Sequence, residues 1–494
     1  KGLEKHQESL ATWVGELYLE LHRGTLTTHG LVKRQNRKLE WKLRSVEMLW
    51  SCLPIDDYPD KDLDQLWKKL MINQFHDIIP GSSIGLVYEN THKEYDEIHE
   101  GCDRLLEESS NKIFKKDADS IVLVNTLSCA WTGAIKLPES FHGFGLVDHR
   151  KKMIPMQRVG QDILVHVKLE PLSFTTFTKA EAVSIDNQRE NDDLILENNL
   201  ISYVFDKKGL LISAYDKEEG KEFLAGPGNI LSLYEDRPSN WDAWDIDFFY
   251  REALLETAEL VKIDTVSIGS VLNQLELQFT IGDSRINQTV CLNSNSKRLN
   301  MQTKVNWSET HKMLRVHFPV AIRSEQASFD IQYGYVKRNT HKNTSWDNAK
   351  FEVVGHKYAD LSDHDHGVAL LNDCKYGYMV RDNILDLNLL RSPSNPDPDA
   401  DKGDHVFTYS LLPHIKDLIR SNVQSEANCL NQRPLLFEGM SSLDCQMPVS
   451  LIGNGIELSV LKKAEKESTW IIRLAETLGR VSSGSLILEG HLQE

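Results

Sequence analysis

The stretch Asn73-Gln-Phe-His-Asp-Ile-Ile-Pro-Gly-Ser-Ser83 separates two predicted helices and carries a His-Asp pair. The run before it, Leu63 to Phe75, has apolar residues at helical spacing, and the Pro-Gly dipeptide ends that helix. Ser82 or Ser83 is a candidate N-cap for the helix that follows. A neutral imidazole beside a carboxylate at such a break suits a metal ligand with a substrate-binding neighbour. Taken alone, however, a histidine at a helix end is more often a cap or a buried hydrogen-bonding residue.

Helical patterns continue on both sides of this break. Apolar side chains recur near a 3.6-residue period from Asn36 to Leu53 and again from Ile84 to Phe114. The connections are short and contain prolines, so an antiparallel three-helix bundle is the simplest arrangement. Before the bundle, alternating leucines between Trp13 and Thr28 predict a strand. The polar set His22-Arg23-Gly-Thr at its end fits a loop lining a sugar as well as a capped turn.

After Asp117 the pattern changes to short alternating strands separated by glycine and asparagine turns. Clear examples are Ser120 to Asn125, Ile163 to Leu169, Val271 to Ile281 and Leu299 to Trp307. This pattern predicts β-sandwich architecture. We therefore expect an α+β multidomain chain, with an N-terminal three-helix bundle followed by all-β sandwich domains. The expected units are an N-terminal segment, the helical bundle, and small, large and C-terminal sandwiches, at 1–30, 31–117, 118–190, 191–430 and 431–494.

Composition limits the class of protein and its partners. The chain has 494 residues and a formal net charge of −17, and this acidity argues against duplex nucleic acid or an anionic membrane as main partner. Its seven cysteines are dispersed without a CxxC pair, which is typical of reduced thiols in a cytoplasmic protein. The 494 residues contain no signal-peptide pattern and no run of 18 apolar residues. Because the chain begins at Lys1 inside an apparently packed region, we expect a piece of a longer polypeptide.

Three further clusters could carry chemistry. Carboxylates alternate with Trp241 and Trp244 between residues 235 and 247, a composition that suits carbohydrate, although a loop pinned by buried tryptophans is slightly favoured. Residues 333–347 are polar and aromatic. The tract Asp363 to His366 resembles a metal site, but a solvated turn is favoured because alternate strand residues face opposite ways. Nucleotide-binding glycine loops and the HExxH motif are missing from the sequence.

Several collinear motifs together resemble a known family. They include Gly15-Glu-Leu-Tyr-Leu-Glu-Leu-His-Arg-Gly-Thr25, the Gln-Phe-His-Asp break, Trp241-Asp-Ala-Trp-Asp-Ile246, Asn343-Thr-Ser-Trp-Asp347, Val368-Ala-Leu-Leu-Asn-Asp-Cys-Lys-Tyr-Gly-Tyr378 and Leu389-Leu-Arg-Ser-Pro393. In this order they resemble the C-terminal portion of a glycoside hydrolase family 38 α-mannosidase, closest to its cytosolic and bacterial branch. The resemblance covers nearly the whole chain.

This resemblance implies a retaining exo-α-mannosidase with one zinc ion, in which a barrel-like α/β domain precedes the bundle and the β-sandwiches. It makes residues 1–30 the tail of the catalytic domain, with its active-site strand and loop, and it places the zinc-ligand loop in the bundle at 31–117. Within that loop it makes His76 a zinc ligand and Asp77 an acceptor for sugar hydroxyls. It also places His22 and Arg23 at the sugar site and Arg391 on a loop that approaches it. The nucleophile, the acid/base carboxyl and the other metal ligands are expected upstream of residue 1. No catalytic residue is therefore expected here, and this piece alone is expected to hydrolyse nothing.

The expected function is therefore removal of terminal α-mannose from oligosaccharides by the longer protein. Its partners would be mannose-containing oligosaccharide, the upstream catalytic domain of the same polypeptide and, in a homodimer, a second copy. The alternative is a non-catalytic carbohydrate-binding or assembly module built from the β-sandwiches, with Trp241 and Trp244 as the sugar platform.

Overall fold

Three long helices form the N-terminal unit of the computed structural model, which describes residues 2–18, 21–181, 186–187, 189–441 and 447–488. They are α1 (Gly30–Trp50), α2 (Asp60–Asn73) and α3 (Gly85–Ile113), and each contacts the other two. Their apolar stripes are almost completely buried against one another, as the periodicity predicts. The predicted three-helix bundle is confirmed, and so is the α+β multidomain class.

Helix α1 begins at Gly30, earlier than the predicted Asn36. Its first turns bury the polar side chains of Lys33 and Arg37 against the β region, so they show no apolar period. The free amides at the helix start are satisfied from far along the chain, because the Asp401 carboxylate accepts from the backbone of Gly30 at 2.7 Å. A cap of this kind leaves no local sequence signal.

The predicted serine cap of the third helix is wrong. The N-cap of α3 is Ile84, whose side chain makes no capping hydrogen bond. Ser82 and Ser83 instead donate their hydroxyls back to the Asp77 carbonyl, at 3.4 and 2.8 Å. The two serines therefore close the preceding loop and leave the helix uncapped by a side chain.

The strand predicted between Trp13 and Thr28 is not formed in the described residues of that segment. The segment has a 3₁₀ turn at Gly24–Leu26, and Leu17 is 78% exposed. A strand requires a neighbour to complete its backbone hydrogen bonds, and side-chain contacts hold this segment instead. Glu16 makes two hydrogen bonds to the Arg338 guanidinium. Of the three leucines that suggested the strand, the middle one lies outside the described residues.

The first β region is a pair of sheets that face each other across an apolar core. One sheet contains, in spatial order, Leu435–Glu438, Ser120–Asn125, Ser173–Ala180 and Gly145–Val147. The other contains Trp131–Lys136, Asp162–Leu169, Met156–Val159 and Asp186–Asn187. The first strand of the first sheet comes from beyond residue 431, so the small unit is completed by a late segment of the chain.

The second β region is the largest and contains three sheets around one continuous core. A four-stranded sheet contains Lys221–Glu222, Leu211–Asp216, Ile201–Phe205 and Ile195–Glu197. A six-stranded sheet contains Leu254–Thr257, Ile230–Glu235, Lys312–Pro319, Ile384–Arg391, Gly377–Arg381 and Val353–Val354. The eleven-stranded sheet contains Gly334–Asn339, Gln326–Ile331, Tyr358–Ser362, His366–Asn372, Gly403–Ile415, Leu299–Trp307, Ser284–Asn293, Leu272–Ile281, Val266–Ile268 and Arg189–Asn191, with Glu259–Ile263 beside Leu272–Ile281.

The remaining elements connect and cover these units. Two hairpin-like pairs near the C-terminus pack on the helical bundle, Val449–Gly453 with Gly484–Leu488 and Ile456–Lys463 with Trp470–Glu476. Two short helices, α4 (Ser345–Ala349) and α5 (Val423–Asn431), lie between strands. Short 3₁₀ segments occur at Leu3–Ser9, Gly24–Leu26, Ile55–Asp57, Glu139–Phe141, Phe248–Glu252 and Leu418–Arg420. The domain limits named above stay a prediction.

Candidate functional site

The His76–Asp77 pair lies on the loop between α2 and α3 and faces outward. The two side chains are 74% and 42% exposed, and His76 Nε2 lies 3.4 Å from Asp77 Oδ2. The ring of Phe75 packs against the imidazole with centroids 4.2 Å apart. An exposed imidazole beside a carboxylate is a pair of donors that a metal or a polar ligand can reach.

Buried contacts hold the loop that carries this pair. The Lys33 ammonium donates to the carbonyls of Ile79 at 2.8 Å and Pro80 at 3.3 Å, and also to the Thr28 carbonyl. Burial lowers the pKa of Lys33 to about 7. Gly81 has a φ of +92°, and a Cβ there would lie 2.6 Å from the Thr28 carbonyl oxygen. The loop therefore packs tightly on Thr28, and its turn requires glycine.

His22 and Arg23 lie on the other side of Thr28. The Arg23 backbone amide and Nη1 both approach Asp245 Oδ1, at 3.3 and 3.2 Å. Its guanidinium also lies over the Phe351 ring, 4.6 Å from the centroid. The His22 ring meets the Trp244 ring edge-on at 4.9 Å, and its Nδ1 is buried without a hydrogen-bond partner. Arg23 is thus engaged inside the protein, whereas His22 retains one unsatisfied polar atom.

Arg391 is at the end of a strand, which corrects the predicted loop, and its side chain is fully buried. Its Nε donates to Asp236 at 2.7 Å. Its two terminal nitrogens donate to the Thr28 hydroxyl and to the backbone carbonyls of Asp242, Ala243 and Asp245, at 2.9 to 3.1 Å. These five bonds match the five donors of a guanidinium. Arg391 therefore positions the surrounding segments, and this geometry gives no support to a direct sugar contact.

Thr28 connects the predicted site residues into one contact network. It is bonded by Arg391 on one side and by Lys33 on the other. Gly24 and Thr25 donate their amides to the Trp244 carbonyl, which joins the 22–28 segment to the 241–247 loop. Through these contacts, the His22–Arg23 segment meets the Trp241–Asp247 loop and Arg391. Lys33 extends the same network to the loop of His76.

Sequence reasoning missed several residues that organise this region. Lys33 lies at the start of a helix and Thr28 lies in a polar turn, and neither residue is part of a sequence motif. Asp242 accepts from the Ser394 amide at 2.7 Å and lies 3.1 Å from His311 Nε2, so it ties the tryptophan loop to two other segments. Among these segments, only the tryptophan loop has an unusual composition that marks it in the sequence. Trp241 is 64% exposed there, while Trp244 packs on His22.

The other sequence clusters have local structural explanations. Asp363 accepts from the amides of Asp365 and His366 at 2.8 and 2.7 Å, which makes this tract a turn. Thr344 caps helix α4 by accepting from the Asp347 amide. Within the described residues, no three His, Cys, Asp or Glu side chains converge as a metal-binding group. Nor does any helix there have an apolar stretch long enough to cross a bilayer.

Comparison with known families gives two matches along the chain. Residues 20–113 match the family described as the alpha mannosidase middle domain. Residues 196–399 match the one described as the glycosyl hydrolases family 38 C-terminal domain. The first contains the bundle with the His76–Asp77 loop, and the second contains the Trp241–Asp247 loop and Arg391.

Individual proteins agree with these matches. Alpha-mannosidase 2C1 of Homo sapiens is 35% identical over 97% of this chain, which spans 46% of that protein. Alpha-mannosidase G of Dictyostelium discoideum is 34% identical over 97% of the chain and 49% of that protein. The chain therefore spans about half the length of these relatives.

A solved structure shares the fold. An alpha-mannosidase from Enterococcus faecalis V583 superimposes with a TM-score of 0.77 at 16% identity, covering 96% of this chain and 66% of that one. Because the identity is low, this likeness concerns the fold alone. The two family matches and the curated relatives go further: this chain belongs to glycosyl hydrolase family 38, of which it carries the middle and C-terminal domains.

Proposed function

We propose that this chain is the C-terminal part of a zinc-dependent retaining exo-α-mannosidase that removes terminal α-mannose from oligosaccharides. The observation that carries the proposal is the His76–Asp77 pair, which is held outward on a loop fixed by Lys33 and Gly81. The α-mannosidase relatives support the substrate class, because they match 97% of the chain.

The donor set of the chain fits the role of one zinc ligand. His76 is exposed and has a carboxylate neighbour, and imidazole and carboxylate are common zinc donors. Three further ligands would come from the segment that precedes this chain in the longer polypeptide. When bound, zinc would act as a Lewis acid at the mannose hydroxyls and stabilise an oxocarbenium-like transition state.

The chain's own residues would bind and orient the sugar. Asp77 would accept a hydrogen bond from a mannose hydroxyl, and His22 would line the sugar site, with its ring held against Trp244. Arg23 and Arg391 would fix the segments around them through Asp245 and Asp236. A retaining glycosidase needs two carboxyl groups about 5–5.5 Å apart, one as nucleophile and one as acid/base. Both are proposed to lie upstream.

The test uses His76→Ala in the polypeptide that contains this chain together with its preceding catalytic domain. Bound zinc should fall below one ion per chain, and hydrolysis of an aryl α-mannoside should be lost, because one ligand is missing. His364→Ala is the matched control, since it removes another exposed imidazole beside carboxylates. A His76→Ala protein with normal zinc content and normal rate would overturn the assignment.

A second variant separates sugar binding from metal binding. Asp77→Asn keeps the size of the side chain but removes the charge of the acceptor. It should raise KM for the mannoside and lower kcat while zinc content changes less than in His76→Ala. Unchanged KM and kcat would contradict the role of Asp77. The 494-residue chain alone should hydrolyse no aryl α-mannoside.

One observation favours the alternative of a non-catalytic carbohydrate-binding module: Trp241 exposes most of its indole on the surface. Sugar C–H faces stack on such rings. Under this alternative, a mannose-oligosaccharide column should retain the isolated chain, and Trp241→Ala should abolish retention. Retention that survives this substitution would rule out Trp241 as the platform.

The proposal also covers the cellular location and the assembly state of the protein. A cytoplasmic location agrees with the dispersed cysteines, which include no CxxC pair. A homodimer is the proposed assembly, and light scattering on the longer polypeptide tests it directly. A monomeric mass at micromolar concentration would overturn that part alone.

A further inference from the structure

Cys129 and Cys429 lie side by side where the small β unit meets helix α5. Cys129 is in the connection between Ser120–Asn125 and Trp131–Lys136, and it is partly exposed. Cys429 is buried in the last turns of α5. The Cys429 thiol contacts the Ala130 carbonyl at 3.5 Å, and Cys129 Sγ lies 4.0 Å from the Ser425 carbonyl. Each cysteine is thus anchored on the segment that carries the other.

The two cysteines also meet at one backbone oxygen of helix α5. In an α-helix the amide of residue i bonds the carbonyl of residue i−4, so the Ser425 carbonyl is the acceptor of the Cys429 amide. The Cys129 sulfur contacts this same oxygen. Trp131 also donates its indole N–H to the Cys429 carbonyl at 3.2 Å, which fixes the connection on the helix. The neighbouring Cys129 side chain and burial both raise the pKa of Cys429.

We propose that Cys129 and Cys429 form a modification site, at which a peroxide or glutathione disulfide converts the two thiols into an intramolecular disulfide. Each sulfur already contacts the backbone segment that carries the other, which is the approach that a disulfide between them requires. The disulfide would join residues that are 300 positions apart in the sequence.

The chemistry assigns a different role to each sulfur. With hydrogen peroxide, the accessible Cys129 sulfur attacks one oxygen, the O–O bond breaks, and a sulfenic acid and water form. The Cys429 sulfur then attacks the Cys129 sulfur, the S–O bond breaks, and a second water leaves with the Cys429 proton. The two thiols lose two electrons and two protons in total, and the peroxide becomes two waters. With glutathione disulfide, the Cys129 sulfur attacks one glutathione sulfur, the S–S bond breaks, and one glutathione leaves as a thiol with the Cys129 proton. The Cys429 sulfur then attacks the Cys129 sulfur of the mixed disulfide, and the second glutathione leaves as a thiol with the Cys429 proton. Cys429 reacts second because it is buried and protonated.

The other buried cysteines share the raised pKa of Cys429, because burial raises the pKa of Cys102, Cys291 and Cys374 to about 12. What distinguishes Cys429 is its accessible neighbour, since Cys129 contributes to the raised pKa of Cys429. Cys52 is partly exposed like Cys129, but its Sγ contacts Met447 Sδ at 3.7 Å. Cys52 is therefore the control for a second partly exposed thiol at a different place in the fold.

A disulfide here would clamp a helix on which several units converge. From α5, Asn428 bonds Glu457 at 2.7 Å and Asn431 bonds the Asn372 carbonyl at 3.0 Å. Gln424 bonds the Thr477 carbonyl at 2.7 Å. The small unit reaches the same helix through Cys129 and Trp131. The cross-link would therefore fix the small β unit to the point where the large unit and the C-terminal hairpins meet.

The experiment treats the purified chain with hydrogen peroxide and, separately, with glutathione disulfide. The intact mass should fall by two hydrogens, and a tryptic map should contain a Cys129–Cys429 cross-linked peptide that dithiothreitol removes. The thermal midpoint of the oxidised protein should rise and return after reduction, because the cross-link restricts the unfolded chain. Cys129→Ser should abolish all three effects, and Cys52→Ser should leave them unchanged.

Two outcomes would overturn the proposal. One is an unchanged intact mass in the wild type under both oxidants. The other is Cys129 in sulfinic or glutathionylated form without the cross-linked peptide, which would make it an isolated reactive thiol. Cys429→Ala tests the second sulfur while filling the buried position with a small apolar group. In that variant Cys129 should accumulate as sulfenic acid or mixed disulfide, and the cross-link should be missing.

Discussion

The His76–Asp77 loop and the contacts of Arg391 differ in how their polar groups are used. The resemblance to family 38 assigns sugar contacts to both. The imidazole and carboxylate of the loop are exposed, while all donors of the Arg391 guanidinium are bonded inside the protein. A side chain whose hydrogen bonds are all satisfied by its own chain stabilises the fold, and one that is held outward by others is available to a ligand. We therefore expect substitution of Arg391 to lower stability, and substitution in the His76–Asp77 loop to affect function with little loss of stability.

Removing Arg391 should have the largest effect on stability. Arg391→Met leaves the buried Asp236 carboxylate unpaired and several carbonyls unsatisfied, which costs about 3–5 kcal/mol. Urea unfolding followed by circular dichroism measures this loss. Arg285→Met is the control, because Arg285 is exposed on a strand, and it should change stability by less than about 0.5 kcal/mol. Equal effects of the two variants would contradict the structural role of Arg391.

A buried carboxyl in the bundle should give a pH-dependent effect of nearly the same size. Burial raises the pKa of Glu47 to about 7, and its Oε1 accepts from the Trp67 indole at 2.9 Å. The folded state thus holds this proton more tightly than the unfolded state, so stability is lost as pH rises from about 4.5 to about 7.

Glu47→Gln keeps the bond to Trp67 and removes the titration. Relative to this variant, the wild type should lose about 3 kcal/mol across that window, from about 1.4 kcal/mol per pKa unit. Urea midpoints at several pH values between 4 and 8 test this. Glu100→Gln, at an exposed position of α3, should follow the wild type. A wild-type profile parallel to that of Glu47→Gln would show that Glu47 is charged throughout.

Gly81→Ala should have an intermediate effect that reaches the functional loop. The added Cβ would meet the Thr28 carbonyl oxygen in a backbone region that side chains rarely adopt, at a cost of about 1–3 kcal/mol. Gly143→Ala has a similar φ of +89° but open space around its Cβ, so it reports the backbone cost alone. The difference between the two in urea unfolding measures the packing of the loop on Thr28. No difference would mean that the loop moves away at little cost.

His76→Ala should have the smallest effect on stability. Its imidazole is 74% exposed, so the free energy of unfolding of this chain should change by less than about 0.5 kcal/mol. Urea unfolding measures this, with Arg391→Met as the contrasting variant. A loss above 2 kcal/mol would show that His76 is a structural residue, and the contrast between the two regions would fail.

Much of the fold could be predicted because it depends on local patterns. The second and third helices and strands such as Leu299–Trp307 agree with their predicted limits closely, since burial imposes a period on their side chains. The start of α1 could not be predicted, because its cap comes from Asp401. The alternation near Leu17 failed as a strand signal, because it says nothing about a partner strand.

The sequence motif of the site could be predicted, but the residues that hold the motif in place could not. The Gln-Phe-His-Asp sequence marks the outward pair, and the tryptophan loop is marked by its composition. Lys33, Thr28 and Asp245 are common residues in ordinary surroundings, and their roles arise from partners far along the chain. For the same reason Arg391 looked like a loop residue, although its strand is part of the six-stranded sheet.

The long-range cap of α1 has a consequence for synthesis on the ribosome. The Gly30 amide donates to the carboxylate of Asp401, 371 positions later, and the strand Leu435–Glu438 completes the small β unit. The ribosome must therefore add most of this chain before the first helix and the loop beside it reach their final contacts. A nascent chain released before residue 401 lacks the acceptor, so premature termination there leaves the helix start open.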